Sequence, residues 1–162
     1  MRKNYIPILV ILFISLIFFS GCTNSSNQNI NEVSNQLSKC DKFTEVSDKF
    51  NCYINISVQK QDISICDKIQ NKYYKDLCYV EVGTKKQNLS ICEQTKYKDA
   101  CYSNIAKEKQ NPFICDEIED QHIKDSCYLD IAEKKQDSSV CNKIIFQSYK
   151  DVCIKNTAKP VS

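Results

Sequence analysis

Ten cysteines recur at nearly constant intervals through this chain of 162 residues. Their successive spacings are 12, 14, 12, 14, 9, 14, 12, 14 and 12 residues, which gives a period of 26 with two cysteines in each period. A fixed period of this length is typical of repeat architectures, in which each repeat packs only against its neighbours. We therefore expect five repeats, called units one to five below. The ten cysteines are Cys40, Cys52, Cys66, Cys78, Cys92, Cys101, Cys115, Cys127, Cys141 and Cys153.

Other positions of the repeat predict two short helices in each unit. A residue with a short side-chain oxygen stands four residues before the first cysteine of units two, three, four and five, where a helix N-cap is expected. Pro112 follows one of these caps directly, at the first helical position that suits proline. Gly83 is the only glycine beyond residue 21, so β-hairpin turns are disfavoured. The predicted caps are Asp62, Asn88, Asn111 and Asp137.

These patterns predict an all-α domain over residues 37–159, built from five disulfide-stapled two-helix repeats. The array is expected to be α-solenoid-like or a compact stack of helical hairpins. A Lys-Asp pair precedes the second cysteine of units two to five. At the ends of the array, Lys39 replaces an apolar residue of the other units, and Thr157 replaces an isoleucine with Lys155 nearby. Polar side chains there are expected to face solvent and to close the array.

The sequence leaves two disulfide pairings open. Pairing within units uses all ten cysteines, whereas pairing between successive units leaves Cys40 and Cys153 without partners. Parity therefore favours the first scheme. The 14-residue interval never varies, however, while the 12-residue interval shortens to 9 in unit three. A bridge across the constant interval would explain this, and so would conservation of the second helix and the next cap, with the deletion falling in the loop.

The first residues resemble a prokaryotic lipoprotein signal peptide. Arg2 and Lys3 precede an apolar run, and Phe19-Ser20-Gly21-Cys22 resembles the cleavage motif of that class, with Phe19 where leucine is commonest. The resemblance implies removal of residues 1–21 and lipidation of Cys22, which accounts for the eleventh cysteine. Residues 22–36 would then form a polar tether. An uncleaved anchor and an ordinary secretory signal are the alternatives, and all three place the array outside the cytoplasm, where disulfides persist.

Charge and composition disfavour several functions. Without Arg2 and Lys3 the chain has 20 lysines against 20 acidic residues and no arginine, which argues against nucleic-acid binding. The cysteine spacings do not resemble metal or haem sites, so neither a metal nor a cofactor is expected. His122, the only histidine, is expected to fill a loop. The acidic cluster of Asp116, Glu117, Glu119 and Asp120 is expected to be a solvated surface.

Tyrosine follows the second cysteine in units one to four, at Tyr53, Tyr79, Tyr102 and Tyr128. These rings are expected either to pack over the disulfides or to form an aligned binding face. Asn24, Asn55 and Asn88 begin sequons, of which Asn24 in the tether is the favoured glycosylation site.

Phrases such as Lys-Gln-Asp-x-Ser-Ile-Cys and Lys-Asp-x-Cys-Tyr resemble those of uncharacterised cysteine-rich exported proteins of archaea. That resemblance covers residues 36–155 and implies a helical-hairpin array without a known activity. We therefore expect a non-enzymatic, lipid-anchored binding or scaffold module on the outer face of the cell membrane, with an envelope protein or a surface polymer as partner. A thiol–disulfide or metal-handling protein is the alternative.

Overall fold

The computed structural model describes residues 25–158, and within them the secondary structure is helical with no strand. The all-α prediction and the disulfide-stapled helical repeat are therefore confirmed. In chain order the α-helices are α1 (Ser25–Cys40), α2 (Val46–Lys60), α3 (Lys72–Lys86), α4 (Leu89–Cys92), α5 (Lys98–Lys109), α6 (Pro112–Cys115), α7 (Gln121–Lys135) and α8 (Gln147–Thr157), with 3₁₀ helices at Ile63–Lys68 and Ser138–Lys143.

Units two to five each consist of a short helix followed by a long one. The four predicted N-caps begin the short helices, and each cap's side-chain oxygen accepts a hydrogen bond from the backbone N–H two residues later. Such a bond satisfies one of the donors that a helix leaves unpaired at its start. Pro112 occupies the first helical position of α6, as predicted.

In units one to four, a glutamine in the left-handed backbone conformation connects the long second helix to the short helix of the next unit. At the end of α7, Gln136 has φ 51°, its N–H donates to the carbonyl of Glu133, and the N–H of Asp137 donates to Ala132. These two bonds form a Schellman motif. The next residue is already the N-cap of the short helix, so the connection between the two helices is a single residue. Its fixed length explains the constant 14-residue interval. The glutamines are Gln61, Gln87, Gln110 and Gln136.

Within every unit, a disulfide bond joins the first helix to the second. The pairs are Cys40–Cys52, Cys66–Cys78, Cys92–Cys101, Cys115–Cys127 and Cys141–Cys153. Of the two pairings that the sequence leaves open, the structure has the one within units.

The three residues missing from unit three are lost from its long helix. α5 has 12 residues where α3 and α7 each have 15. The segment between short and long helix covers residues 93–97 in unit three and 116–120 in unit four, so its length is the same. The alternative of a deletion in the loop is therefore wrong. The deletion instead removes most of one helical turn.

Unit one differs from the predicted tether. Residues 22–36 were expected to form a polar tether, but the chain is helical from Ser25 onward. Val33, Leu37 and Cys40 recur at helical spacing and pack with the core of units one and two. Lys60 at the end of α2 also pairs with Glu32, at 3.5 Å. The apolar stripe therefore extends the first helix of unit one beyond the repeat.

The long helices of successive units pack against one another in chain order. Their buried apolar side chains form two clusters: one belongs to units one and two together with Ile91, and the other to units three to five together with Val80. The boundary between them falls at the junction of units two and three. The shortened helix α5 lies at this junction.

Asp99 and Asp125 each join their unit to the next one. The carboxylate of Asp125 is fully buried and accepts hydrogen bonds from the N–H groups of Ile145 and Phe146, the latter at 2.7 Å. Asp99 accepts from the N–H groups of Glu119 and Asp120 in the same way. In both cases a side chain of one long helix binds backbone donors just before the next long helix.

The two earlier junctions depart from this pattern. Asp76, the equivalent residue of unit two, is 1% exposed, and its Oδ2 has no hydrogen-bond partner in the described part of the chain. Its Oδ1 lies 3.3 Å from Nζ of Lys72 in the same helix. Unit one has Phe50 at this position, and its ring stacks on Tyr74 with centroids 4.9 Å apart.

The two ends of the array agree only in part with the expectation of exposed polar residues. Lys39 and Lys155 are exposed. Thr157, however, is 4% exposed, so its expected exposure is wrong. Its hydroxyl donates to the carbonyl of Cys153 and lies 3.7 Å from the sulfur of Cys141. The side chain therefore faces its own unit, and a hydroxyl is tolerated there because it has a partner.

Candidate binding surface of the long helices

The four repeated tyrosines are buried and hydrogen-bonded within their units. Their side chains are 2–8% exposed, and each hydroxyl donates to the carboxylate that follows the first cysteine of the same unit. Unit five has Ile154 in place of the tyrosine and Asn142 in place of the acid. The two positions therefore change together, which is a signal already present in the sequence. The tyrosine–acid pairs are Tyr53–Asp41, Tyr79–Asp67, Tyr102–Glu93 and Tyr128–Asp116.

Burial and these hydrogen bonds raise the pKa of each of the four tyrosines. Burial, followed by the hydrogen bond to Glu93, raises the pKa of Tyr102 from 10.0 to about 12. The hydrogen bonds from Tyr79 and Lys75 lower the pKa of Asp67. The Tyr79–Asp67 pair is therefore favoured with a neutral phenol and an ionised carboxylate. With so little of each ring exposed, the tyrosines offer a partner little contact area.

Two predicted modification sites lie outside the described residues. They are Cys22, expected to be lipidated, and Asn24, the favoured sequon. Of the other sequons, Asn88 caps α4, and Asn55 is exposed on α2. Among the helices that the structure describes, none combines the length and apolarity needed to cross a bilayer.

The repeated cysteines form disulfide bonds that are almost entirely buried. All ten are bonded in pairs, and nine of them are completely inaccessible to solvent, Cys52 being partly exposed. Within the described residues, no three His, Cys, Asp or Glu side chains come together as a metal site would need.

The acidic cluster of unit four is divided among several contacts. Asp116 binds Tyr128 and Lys143, and Glu119 pairs with Lys98 of the preceding unit. Asp120 caps α7 through the N–H of Ile123. All four side chains of the cluster are exposed, as expected of a solvated surface, and three of them also contact neighbouring residues.

His122 lies in the first turn of α7, so its expected place in a loop is wrong. Its exposed ring stacks on Phe146, with centroids 4.4 Å apart and an angle of 19° between the planes. Tyr149 meets the same ring edge-on, with centroids 6.3 Å apart. The histidine thus presents a planar ring, supported by Phe146, on the surface formed by the long second helices of successive units.

A groove of about 370 Å³ runs along this surface between α5 and α7. The α5 wall uses positions i, i+3, i+4 and i+7, so the groove follows the helix axis for about 10 Å. Most of its lining side chains are small or polar. The residues that line it are Ala100, Ser103, Asn104, Lys107, His122, Ile123, Ser126 and Tyr149.

Some polar side chains of the groove make no hydrogen bond, and the groove carries little net charge. No hydrogen bond within the described part of the chain engages the side chains of Asn104 or Ser126. Nζ of Lys107 lies 3.2 Å from Oδ2 of Asp130, so its charge is balanced by a neighbour on α7. The groove therefore offers amide and hydroxyl groups in a nearly neutral setting.

The groove exists because two repeat positions are small. Ala100 and Ser126 stand one residue before the second cysteine, where unit two has Leu77 and unit five has Val152. A larger side chain there would fill the space between neighbouring long helices. Sequence reasoning missed this site, because the aligned units show that these two positions are small but not that they leave space between two helices.

A second, larger cleft of about 650 Å³ lies between the loop of unit one and the loop of unit two. Its lining includes Phe43 and Val46, which are 48% and 57% exposed. Lys68 and Asn71 lie on the other wall, and the Asp41–Lys49 ion pair closes one side. This cleft and the groove lie in different units, so the array presents more than one concave surface.

No protein-family model, curated protein or solved structure matches this chain.

Proposed function

We propose that this protein is a membrane-anchored, extracytoplasmic lipoprotein that works as a non-enzymatic binding or scaffold module. Its partner would be an envelope protein or a surface polymer. The signal-like segment ending at Cys22 supports the anchor, and five disulfide bonds suit an oxidising compartment.

The observation that carries the binding role is the surface formed by successive long helices. In repeat proteins such stacked helices create extended binding surfaces. Here the surface holds a groove with unengaged amide and hydroxyl groups. The ten repeat cysteines, by contrast, are paired in disulfide bonds, nine of them buried, and so carry no free thiol.

The test of the anchor is the intact mass of the membrane-extracted chain, alkylated without prior reduction. We expect a lipid-sized mass increase on the peptide that begins at Cys22 and no alkylation of the ten repeat cysteines. Cys22→Ser should abolish the lipid and release the protein from membranes. Several alkylated repeat cysteines, or a Cys22→Ser chain with unchanged membrane attachment, would count against the proposal.

The binding role is tested separately with the full chain in detergent micelles and isolated cell-envelope material. We expect saturable retention that is lost when the disulfides are reduced and the array unfolds. The absence of saturable retention by the oxidised chain would refute the scaffold role.

A further inference from the structure

We propose that the groove between α5 and α7 binds a neutral carbohydrate chain. This inference rests on the proposed binding role and names the chemical class of the partner. It is carried by three properties of the groove: its supported ring, its uncommitted polar groups and its charge balance.

The first property is the aromatic edge. One face of the His122 ring is covered by Phe146, and the histidine is exposed beside the groove that its side chain lines. The flat face of a pyranose carries C–H bonds that pack against aromatic rings, whose faces are electron-rich. Because the Phe146 stack supports the histidine in the unbound protein, little side-chain order has to be gained on binding.

The second property is the set of polar groups along the groove. Asn104 offers two donors and an acceptor, and Ser126 across the groove offers a hydroxyl that donates and accepts. Sugar hydroxyls need such mixed partners because each one donates and accepts as well. A groove about 10 Å long accommodates a short stretch of a sugar chain lying along α5.

The third property is charge balance. Among the described residues that line the groove, Lys107 is the one lysine, and Asp130 pairs with it. An anionic polymer would have to compete with this carboxylate, whereas a neutral chain leaves the ion pair intact. A protein partner is less well suited, because the small lining residues form no deep apolar pocket for an aromatic or aliphatic anchor.

The repeat itself supplies the variant that tests the site. Ser126→Leu introduces the residue that unit two has at the same position, Leu77, and should fill the groove without a foreign side chain. Asn104→Ala removes the amide, and His122→Ala removes the ring, whereas His122→Phe keeps a ring at the edge. Asn55→Ala is the matched control, since Asn55 holds the position of Asn104 in unit one and lies outside this groove.

The experiment measures binding of the full, disulfide-bonded chain in detergent micelles to an array of neutral hexose and N-acetylhexosamine oligosaccharides. Uronic-acid oligosaccharides, sulfated oligosaccharides and a peptide set are included on the same array. We expect retention of at least one neutral oligosaccharide, weakened about tenfold by Asn104→Ala and by His122→Ala and more strongly by Ser126→Leu. Asn55→Ala should bind like the unmodified chain, and His122→Phe should bind more tightly than His122→Ala because it keeps a ring at the edge.

The inference is overturned if no neutral oligosaccharide binds, if only anionic ones or peptides bind, or if Ser126→Leu binds as well as the unmodified chain. Circular dichroism and intact disulfides show that each variant is folded. If Ser126→Leu keeps saturable binding to envelope material, the scaffold role stands and the carbohydrate site fails. If neutral oligosaccharides bind in the groove of a chain without lipid on Cys22, the site stands and the anchor fails.

Discussion

The junction between units four and five and the junction between units two and three use the same residue with different results. Asp125 is buried and fully engaged, with two backbone N–H groups and the side chain of Gln121 as donors. Asp76 is equally buried but faces a shortened unit, and its Oδ2 has no partner in the described part of the chain. A buried carboxylate stabilises only when its hydrogen bonds are made, so the same residue stabilises one junction and weakens the other.

The difference lies in the donor and not in the aspartate. In unit three the N–H of Tyr97, just before α5, donates to Oγ1 of Thr95, which is buried. In unit five the corresponding N–H groups donate to Asp125. Where α5 has lost three residues, the N–H of Tyr97 therefore bonds within its own unit, whereas the corresponding N–H of Phe146 bonds to Asp125 of the preceding unit. The division of the apolar core at the same place agrees with a weaker coupling there.

The largest expected effect comes from removing what both junctions share, the disulfide bonds. Each bridge closes a loop of 9 or 12 residues, which is worth about 3 kcal/mol in the chain-entropy estimate. Because the total stability of a domain is about 5–15 kcal/mol, full reduction should unfold the array. Circular dichroism before and after a strong reductant measures this, and unchanged helicity would contradict it.

The comparison is tested most directly by Asp125→Asn and Asp76→Asn. The first change places an amide donor against the N–H of Phe146 and should cost about 2–3 kcal/mol, as for buried hydrogen bonds to a charged group. The second replaces a carboxylate whose Oδ2 already lacks a partner and should cost less than about 1 kcal/mol. Urea unfolding gives both values, and hydrogen exchange should show faster exchange at Phe146 in Asp125→Asn only. Equal costs for the two changes would end the comparison.

Substitution of Gly83 tests how tightly the junction between units two and three is packed. A methyl group on this residue would lie 3.1 Å from the sulfur of Cys101 and 3.2 Å from Cγ2 of Ile91. Gly83→Ala should therefore destabilise the protein by about 1 kcal/mol through overpacking, despite alanine's better helix propensity. Urea unfolding provides the measurement. Ser57→Ala, at the same position of unit one, adds no atom and is the control; stabilisation by Gly83→Ala would show that the junction has room to spare.

The tyrosine pairs predict a loss of stability at alkaline pH. The pKa of Tyr102 is raised in the folded state, so the folded protein holds this proton more tightly than the unfolded chain does. Its contribution is complete below pH 10 and is lost as the pH rises from about 10 towards about 12. Unfolding followed across that window should show a smaller decline in Tyr102→Phe. A decline of equal size in the variant would assign the alkaline loss to other groups.

The smallest expected effect concerns the connections that all junctions have in common. Gln136 adopts a left-handed conformation that favours glycine, so Gln136→Gly should stabilise the array by about 0.5–1 kcal/mol. The same substitution at the exposed Gln59 within α2 should destabilise it. A shift of the urea midpoint in the same direction for both variants would be inconsistent with the Schellman assignment.

Particular residues show how far sequence reasoning reached. The caps at Asp62, Asn88, Asn111 and Asp137 were predictable because capping depends on one side chain and the backbone two residues away. The helical extension α1 was missed because a polar, asparagine-rich segment hides a sparse apolar stripe. Its packing against the core, at Val33 and Leu37, outweighs that composition.

The candidate site was less accessible to sequence reasoning than the fold. The sequence drew attention to the repeated tyrosines, which the structure buries against carboxylates. Ala100 and Ser126 drew none, since small residues carry no chemical signal of their own. Their effect appears only where two helices pass each other and leave space between them.

The all-α class, the five-unit repeat and the starts of the short helices in units two to five follow from the sequence alone, because they depend on local spacing and backbone capping. The tertiary structure decided which cysteines pair, which of two equivalent aspartates is satisfied and where the groove lies. Those features depend on distances between chain segments that are remote in sequence. A period of 26 residues is the same wherever it occurs, whereas a missing helical turn changes which donors reach the neighbouring unit.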